Sequence, residues 1–180
     1  TTLLDFTDPD YTLTSTLTGG GETLSYDNPL DERTVPVNWA TWGSPPATET
    51  ATPRVGYTDG LSTLTISLSK PASTFGFEIE PDAPAAEETT ADFYSGSKRA
   101  GVIDLFPNGT SGALLFAAST STNPFTSVVI TNLAPDDFAI ARQRFTLASA
   151  STVPEPSSLF LLGSSLLGAV AFLRRSRKRS

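Results

Sequence analysis

Three sets of side chains in this 180-residue chain have types and spacings that could do chemistry. The first is Asp5, Asp8 and Asp10, because carboxylate oxygens placed close together can bind Ca²⁺. The cluster lacks the glycine and the final glutamate of an EF-hand loop, and turn formation explains short Asp clusters equally well. A calcium site and a structural turn therefore stand as alternative interpretations.

The second set is Glu78 and Glu80, at alternate positions of the predicted strand 73–80. The two side chains would lie about 7 Å apart on one side of that strand, near the carboxylate separation of inverting glycosidases. Strand alternation predicts that the apolar residues face the core and these glutamates face solvent. We therefore expect a solvated charged face rather than a catalytic pair.

The third set is Trp39, Trp42 and Tyr57, which surround the proline-rich loop 44–53. Exposed aromatic rings can stack on sugar faces, so these three residues are candidates for carbohydrate contact. The alternative is that at least one tryptophan belongs to the core, because the chain has only two and a core needs bulky side chains.

The composition excludes several classes of function. The chain has no His and no Cys, so it has no zinc site of ordinary type, no His-based triad and no disulfide. Residues 1–153 contain seven Lys and Arg against 18 Asp and Glu, a net charge of −11, so we expect no nucleic-acid binding. Met is also absent, and we expect that an export signal peptide was removed. We expect no enzymatic activity and no cofactor, apart from the calcium alternative.

The C-terminal segment contains three unlike elements in a fixed order. The first is a short motif formed by Val153, Pro154, Glu155 and Pro156. An uncharged run follows at 157–173, and as a helix it would span about 25 Å of the roughly 30 Å hydrocarbon layer. The third is a basic cluster that predicts a membrane stop-transfer signal: Arg174, Arg175, Arg177, Lys178 and Arg179. The positive-inside rule places this cluster in the cytoplasm and the body outside.

Other interpretations of the segment fit less well. A buried amphipathic helix of a globular domain would have a polar face, which the run 157–173 lacks, and would not end in a terminal cationic block. A glycosylphosphatidylinositol signal normally has no strongly basic end. A tail-anchored cytosolic protein stays open, although the strand-rich body favours export.

The order of Pro-Glu-Pro, short hydrophobic run and Arg-rich end resembles the PEP-CTERM sorting signal of Gram-negative bacteria, over residues 153–180. The resemblance implies recognition by exosortase, a membrane-embedded cysteine transpeptidase, and cleavage near Val153–Pro156. It also implies an inner-membrane-anchored precursor, a final place on the cell surface or in the extracellular matrix, and an association with exopolysaccharide or biofilm. The motif residues would then be substrate for another enzyme.

The body, residues 1–150, is predicted to be all-β. Its clearest strand is 62–69, where apolar residues alternate with Thr and Ser. A second strand is expected at 73–80, and Lys70-Pro71-Ala72 between the two predicts a turn.

Further strands are expected at 35–39 and 138–147, the latter with a bulge because its apolar residues change phase. Short strands separated by turn residues indicate a β-sandwich of jelly-roll type. We therefore predict an exported β-sandwich over 1–150 and a sorting signal with one transmembrane helix over 151–180.

The second half of the body is similar to adhesin-like β-domains that precede PEP-CTERM tails. The similarity lies in four stretches, at 73–82, 112–120, 124–132 and 137–145. It implies a non-catalytic surface or matrix module. A carbohydrate-binding module is the alternative, and a glycosidase or polysaccharide lyase that uses carboxylates is the rival enzyme.

Overall fold

The computed structural model describes residues 1–149, which contain ten β-strands and no helix. In chain order the strands are β1 (Thr2–Leu4), β2 (Leu13–Gly19), β3 (Glu22–Thr34), β4 (Arg54–Tyr57), β5 (Thr63–Pro81), β6 (Thr89–Ser95), β7 (Lys98–Leu105), β8 (Leu114–Ser119), β9 (Phe125–Asn132) and β10 (Phe138–Leu147). All ten belong to one antiparallel, hydrogen-bonded network. The all-β prediction for the body is confirmed.

Two long strands connect two parts of this network. The first half of β5, residues 63–68, pairs with β3 and β9, whereas its second half, residues 72–81, pairs with β10 and β8. Similarly, β3 pairs with β5 through Leu24–Tyr26 and with β4 through Asp31–Thr34. We call β2, β3, the first half of β5, β9, β6 and β7 half-sheet A. Half-sheet B consists of β8, the second half of β5, β10, β4 and β1.

One hydrophobic core is built from both half-sheets. Leu64 and Ile66 of the first half of β5 lie in the same buried cluster as Phe75 and Phe77 of its second half. This cluster also contains Phe6, whose ring packs so closely on Gly56 that a Cβ there would collide with it. Bulky side chains from both half-sheets therefore face each other, as in a β-sandwich.

Two local predictions were wrong. Lys70-Pro71-Ala72 is not a turn, because β5 runs through it without a break. The core-facing positions change from even-numbered residues in the first half of β5 to odd-numbered residues at 75–79 in its second half. A shift in the β5–β9 register between Ser67 and Ala72 accompanies this change, and Pro71 lies in that gap in the pairing, where no backbone N–H is needed. Residues 35–39 form turns rather than a strand.

The predicted bulge in β10 is confirmed. The register of β10 against β5 shifts between Ala141 and Arg144, and Arg142 adopts a φ of 53°. The shift lets Phe138, Ile140 and Phe145 all reach the core although their sequence positions differ in parity.

Candidate functional site

Trp39, Trp42 and Tyr57 lie together on the outer side of half-sheet B, but they are buried, with 6%, 3% and 8% of their surfaces exposed. They form a second hydrophobic cluster with Val35, Val55, Ala113, Ala139 and Ala141. The segment 35–53, between β3 and β4, carries both tryptophans and covers this face of the sheet. In this arrangement neither indole ring is accessible to a sugar. Both tryptophans are buried, as the alternative interpretation expected of at least one of them.

Glu78 and Glu80 lie beneath the same segment, and both are fully buried. The prediction that they face solvent was wrong. Their side of β5 is indeed opposite to Phe75, Phe77 and Ile79, but segment 35–53 covers it. Alternation correctly separated the two sides of the strand, and it could not show that a remote segment would cover the polar one.

Each buried glutamate has both carboxylate oxygens occupied. Glu78 accepts hydrogen bonds from the indole N–H of Trp42 at 3.0 Å, the backbone N–H of Glu49 at 2.8 Å and the guanidinium of Arg144 at 3.0 Å. Glu80 accepts from the indole N–H of Trp39 and the hydroxyl of Thr41, both at 3.0 Å. The two carboxylates thus hold the covering segment to the sheet.

Burial raises the pKa of Glu80, although hydrogen bonds from Trp39 and Thr41 act in the opposite direction. A chain of charges extends from Glu78 through Arg144 to Glu49, and from Glu49 through Arg142 to Asp5. Burial also raises the pKa of Asp5, although the adjacent Arg142 guanidinium lowers it. This face of the protein therefore combines a hydrophobic cluster with internally paired charges.

Asp5, Asp8 and Asp10 are directed to different partners. Asp5 pairs with Arg142 at 2.6 Å, whereas Asp10 accepts from Thr34 at 2.7 Å and pairs with Arg54 at 3.0 Å. The hydrogen bond from Thr34 helps to lower the pKa of Asp10. Asp8 contributes its backbone N–H to Glu32. Within residues 1–149 no group of three or more acidic side chains is arranged to hold a metal ion.

The outer side of half-sheet A was not singled out by the sequence. Cross-strand neighbours there form a line of five hydroxyl side chains, which we call the hydroxyl row: Thr16, Ser25, Ser67, Ser127 and Tyr94. All five are exposed or half-exposed. The alternation of Ser and Thr along β5 was a signal of this face, but the alignment of five strands depends on a register that single-strand patterns do not give.

Comparison with protein families identifies the C-terminal segment. The model of the PEP-CTERM protein-sorting motif matches residues 152–178. The chain carries a PEP-CTERM sorting motif. The match includes Val153, Pro154, Glu155, Pro156 and the basic cluster except for Arg179.

The PEP-CTERM match lies outside the described residues, as does the predicted membrane helix 157–173. Within residues 1–149 no helix is long and apolar enough to cross a membrane. A sorting motif of this kind indicates an exported protein that is sorted through its C-terminal end.

Two solved structures are similar to the body of this PEP-CTERM chain. TmCBM61 in complex with β-1,4-galactotriose has 9% identity and a TM-score of 0.42, over 78% of this chain and 100% of that one. The family 11 carbohydrate-binding module from Clostridium thermocellum, in complex with a β-1,3-1,4-mixed-linked tetrasaccharide, has 11% identity and a TM-score of 0.39, over 82% and 98%. No curated protein matches the chain.

Proposed function

We propose that this chain is a non-catalytic surface or matrix protein of a Gram-negative bacterium, exported, processed by an exosortase and held among exopolysaccharide. The observation that carries the proposal is the PEP-CTERM motif at 152–178, placed directly after an all-β body. The precursor would be anchored in the inner membrane by the helix 157–173, with the basic tail 174–180 in the cytoplasm. The body would then reach the cell surface or the matrix of a biofilm.

The proposal that the protein is non-catalytic is supported by the burial and hydrogen bonding of two carboxylates. Glu78 and Glu80, the pair whose spacing suggested a glycosidase, are fully buried and bound to indole N–H groups. A catalytic acid must reach the glycosidic oxygen of its substrate, and segment 35–53 separates these two from solvent. Their role is to bind that segment to the sheet.

Carbohydrate binding is the second candidate. The surface that favours it is not the set Trp39, Trp42 and Tyr57, which is buried. It is the open outer side of half-sheet A, with its line of exposed hydroxyl groups. The jelly-roll arrangement of the sandwich remains a proposal. Calcium binding by Asp5, Asp8 and Asp10 is the weaker alternative, because Asp5 and Asp10 are paired with arginines.

The sorting claim can be tested in a host that has an exosortase. Glu155→Ala and Pro154→Ala should leave the precursor inserted but unprocessed, because these residues would be recognised by the enzyme and contribute no insertion energy. Ser164→Ala, in the hydrophobic run, is a matched control that should be processed normally. Immunoblots of precursor and mature sizes report the result, and normal processing of both Pro-Glu-Pro variants would refute recognition of the motif.

The surface or matrix claim needs a second readout in the same cells. The mature wild-type body should appear in the washed matrix fraction. A body found only in the periplasm or the culture medium would refute the proposed location.

A further inference from the structure

We propose that the hydroxyl row of half-sheet A binds an extended, uncharged polysaccharide laid across the strands; this inference rests on the proposed function and names its ligand class and surface. The row crosses β2, β3, β5, β9 and β6 at one level. Thr16 is aligned with Ser25, Ser25 with Ser67, Ser67 with Ser127, and Ser127 with Tyr94.

The adjacent row shows which side of the sheet these residues occupy. Tyr26, Ile66, Val128 and Phe93 are the aligned neighbours one residue along, and all four are buried in the core. Since successive strand residues point to opposite faces, the hydroxyl row points away from the core. Four intervals of about 4.8 Å give it a length of about 19 Å.

The five hydroxyl groups are available for a ligand. Within residues 1–149 none of them is hydrogen-bonded to another protein group, and the one contact at Tyr94 is made by its backbone oxygen. The flanking row on one side differs, because Thr18 and Thr23 share a hydrogen bond of 3.1 Å and the hydroxyl of Ser69 accepts the backbone N–H of Thr23 at 3.0 Å. The hydroxyl groups of that flank are therefore less available to a ligand than those of the hydroxyl row.

Charge and hydrogen-bond chemistry select the occupant. The hydroxyl row itself contains no charged residue, although the described residues carry a net charge of −11. The charged residues beside it on the same face are Asp27, Asp92 and Arg99, and Arg99, which lies opposite Tyr94 on β7, pairs with Asp92. An anionic polymer would be repelled by the acidic body. A cationic partner would find no carboxylate in the row, and the two carboxylates beside it already bind the backbone N–H of Thr65 and the guanidinium of Arg99. A hydroxyl group both donates and accepts, as sugar hydroxyls do, so each position can pair with a neutral sugar in either sense.

The spacing of the row also fits a polymer. Hydroxyl groups repeat once per strand, an interval close to the length of one sugar unit in an extended glycan. Tyr94 provides the last hydroxyl group of the row and offers an aromatic ring on which a sugar face can stack, with Arg99 of β7 next to it. A second copy of this chain is a poorer occupant, because a stable interface needs an apolar centre that the row does not have.

The test uses the full chain in detergent micelles, run in native gels that contain a polysaccharide. The neutral probes are a β-1,4-glucan, a β-1,3-glucan, a galactan and the neutral matrix polysaccharide extracted from the host, and alginate is the acidic probe. At least one neutral probe should retard the wild type, and alginate should not. Ser67→Glu should weaken that binding about tenfold or more, because it places an unpaired carboxylate under the ligand.

Three further variants make the result specific. Ser67→Thr keeps a hydroxyl on an exposed strand position and should bind like the wild type. Ser119→Glu introduces the same charge at an exposed position of β8, in half-sheet B, and should have no effect. Ser127→Glu should repeat the loss caused by Ser67→Glu, and matching circular dichroism spectra would show that the variants remain folded.

Three outcomes would overturn the inference. They are equal retardation of Ser67→Glu and Ser119→Glu, no retardation by any neutral probe, and self-association of the wild type that Ser67→Glu abolishes. The first would place the binding surface elsewhere, and the third would make the face an interface between copies. Matrix retention of the mature Ser67→Glu body in cells would then leave the proposed function standing, whereas loss of wild-type retention would refute that function itself.

Discussion

Strand β5 contributes residues to the outer sides of both half-sheets, but the outer side of half-sheet A is exposed to solvent and that of half-sheet B is buried. In the first half of β5 the outward residues are Thr65 and Ser67, which stay at least partly exposed. In its second half the outward residues are Glu78 and Glu80, which are fully buried. The more polar side chains are therefore the ones removed from water.

The difference comes from a segment distant in sequence. Residues 35–53 cover half-sheet B and supply indole N–H groups to both glutamates. A buried carboxylate is tolerated only when donors replace the lost water, and here tryptophan, threonine, arginine and backbone donors do so. A polar side chain that points away from the core of the sandwich is thus not necessarily exposed, because another segment of the chain can pack over that side of the strand.

The largest expected effect tests the covered side. Glu78→Ala should destabilise the body by about 3–5 kcal/mol. The indole N–H of Trp42 and the backbone N–H of Glu49 would lose their acceptor, and Arg144 would keep only Glu49 of its two carboxylate partners. Asp104→Ala, at an exposed position of β7, is the matched control and should change stability by no more than about 0.5 kcal/mol.

Denaturant unfolding of the fragment 1–150 measures both variants, and the fragment itself should be soluble and rich in β-structure. Equal stability of the two variants would show that the covering segment does not depend on the buried carboxylate. An insoluble fragment beside a soluble full chain would contradict the division of the chain into body and tail.

A smaller loss is expected from a single hydrogen bond on the same side. Trp42→Phe keeps an aromatic ring in the second cluster but removes the N–H that Glu78 accepts at 3.0 Å. The unmatched acceptor should cost about 1–3 kcal/mol. Phe106→Leu, an exposed aromatic residue after β7, serves as the control. A Trp42→Phe variant as stable as the wild type would assign the role of Trp42 to packing alone.

Sequence patterns predicted most of the strands, but they did not predict which segments of the chain pack over them. The alternation in 62–69 and the change of phase in 138–147 are local, so the strands and the bulge in β10 could be read directly. The continuity of β5 through Pro71 could not be predicted from the local sequence, because it depends on a gap in the pairing with β9. The strand predicted at 35–39 failed because its apolar residues cover the outer side of half-sheet B instead of joining a strand ladder.

The candidate sites divide in the same way. The PEP-CTERM motif is contiguous, so its residues could be recognised without any structure. Trp39, Trp42, Glu78 and Glu80 were each noticed, but their pairing joins residues about 40 positions apart. The hydroxyl row depends on five strands in register, which no single stretch of the chain encodes.

The pH dependence of stability gives a further test of the covered side. Burial raises the pKa of Glu80 above its ordinary value of 4.5, so the folded state binds this proton more tightly than the unfolded state does. The stability contributed by protonated Glu80 is present below 4.5 and is lost as pH rises through the raised pKa. Glu80→Gln imitates the protonated form and should become more stable relative to the wild type as pH rises across that window. Parallel unfolding curves of the two proteins from pH 4 to 7 would contradict this assignment.

The smallest expected effect concerns calcium. Asp5 and Asp10 are paired with Arg142 and Arg54, so a calcium ion would have to displace two arginines to use both carboxylates. An extracellular site with a Kd of about 0.1–1 mM would stabilise the body by about 0.4–1.4 kcal/mol in roughly 1 mM calcium, which thermal melting can detect. We expect a smaller change than this between chelator and calcium, and the same small change in Asp8→Asn. A clear rise in melting temperature with calcium, absent in Asp8→Asn, would instead establish a site here, because nonspecific screening would act equally on both proteins.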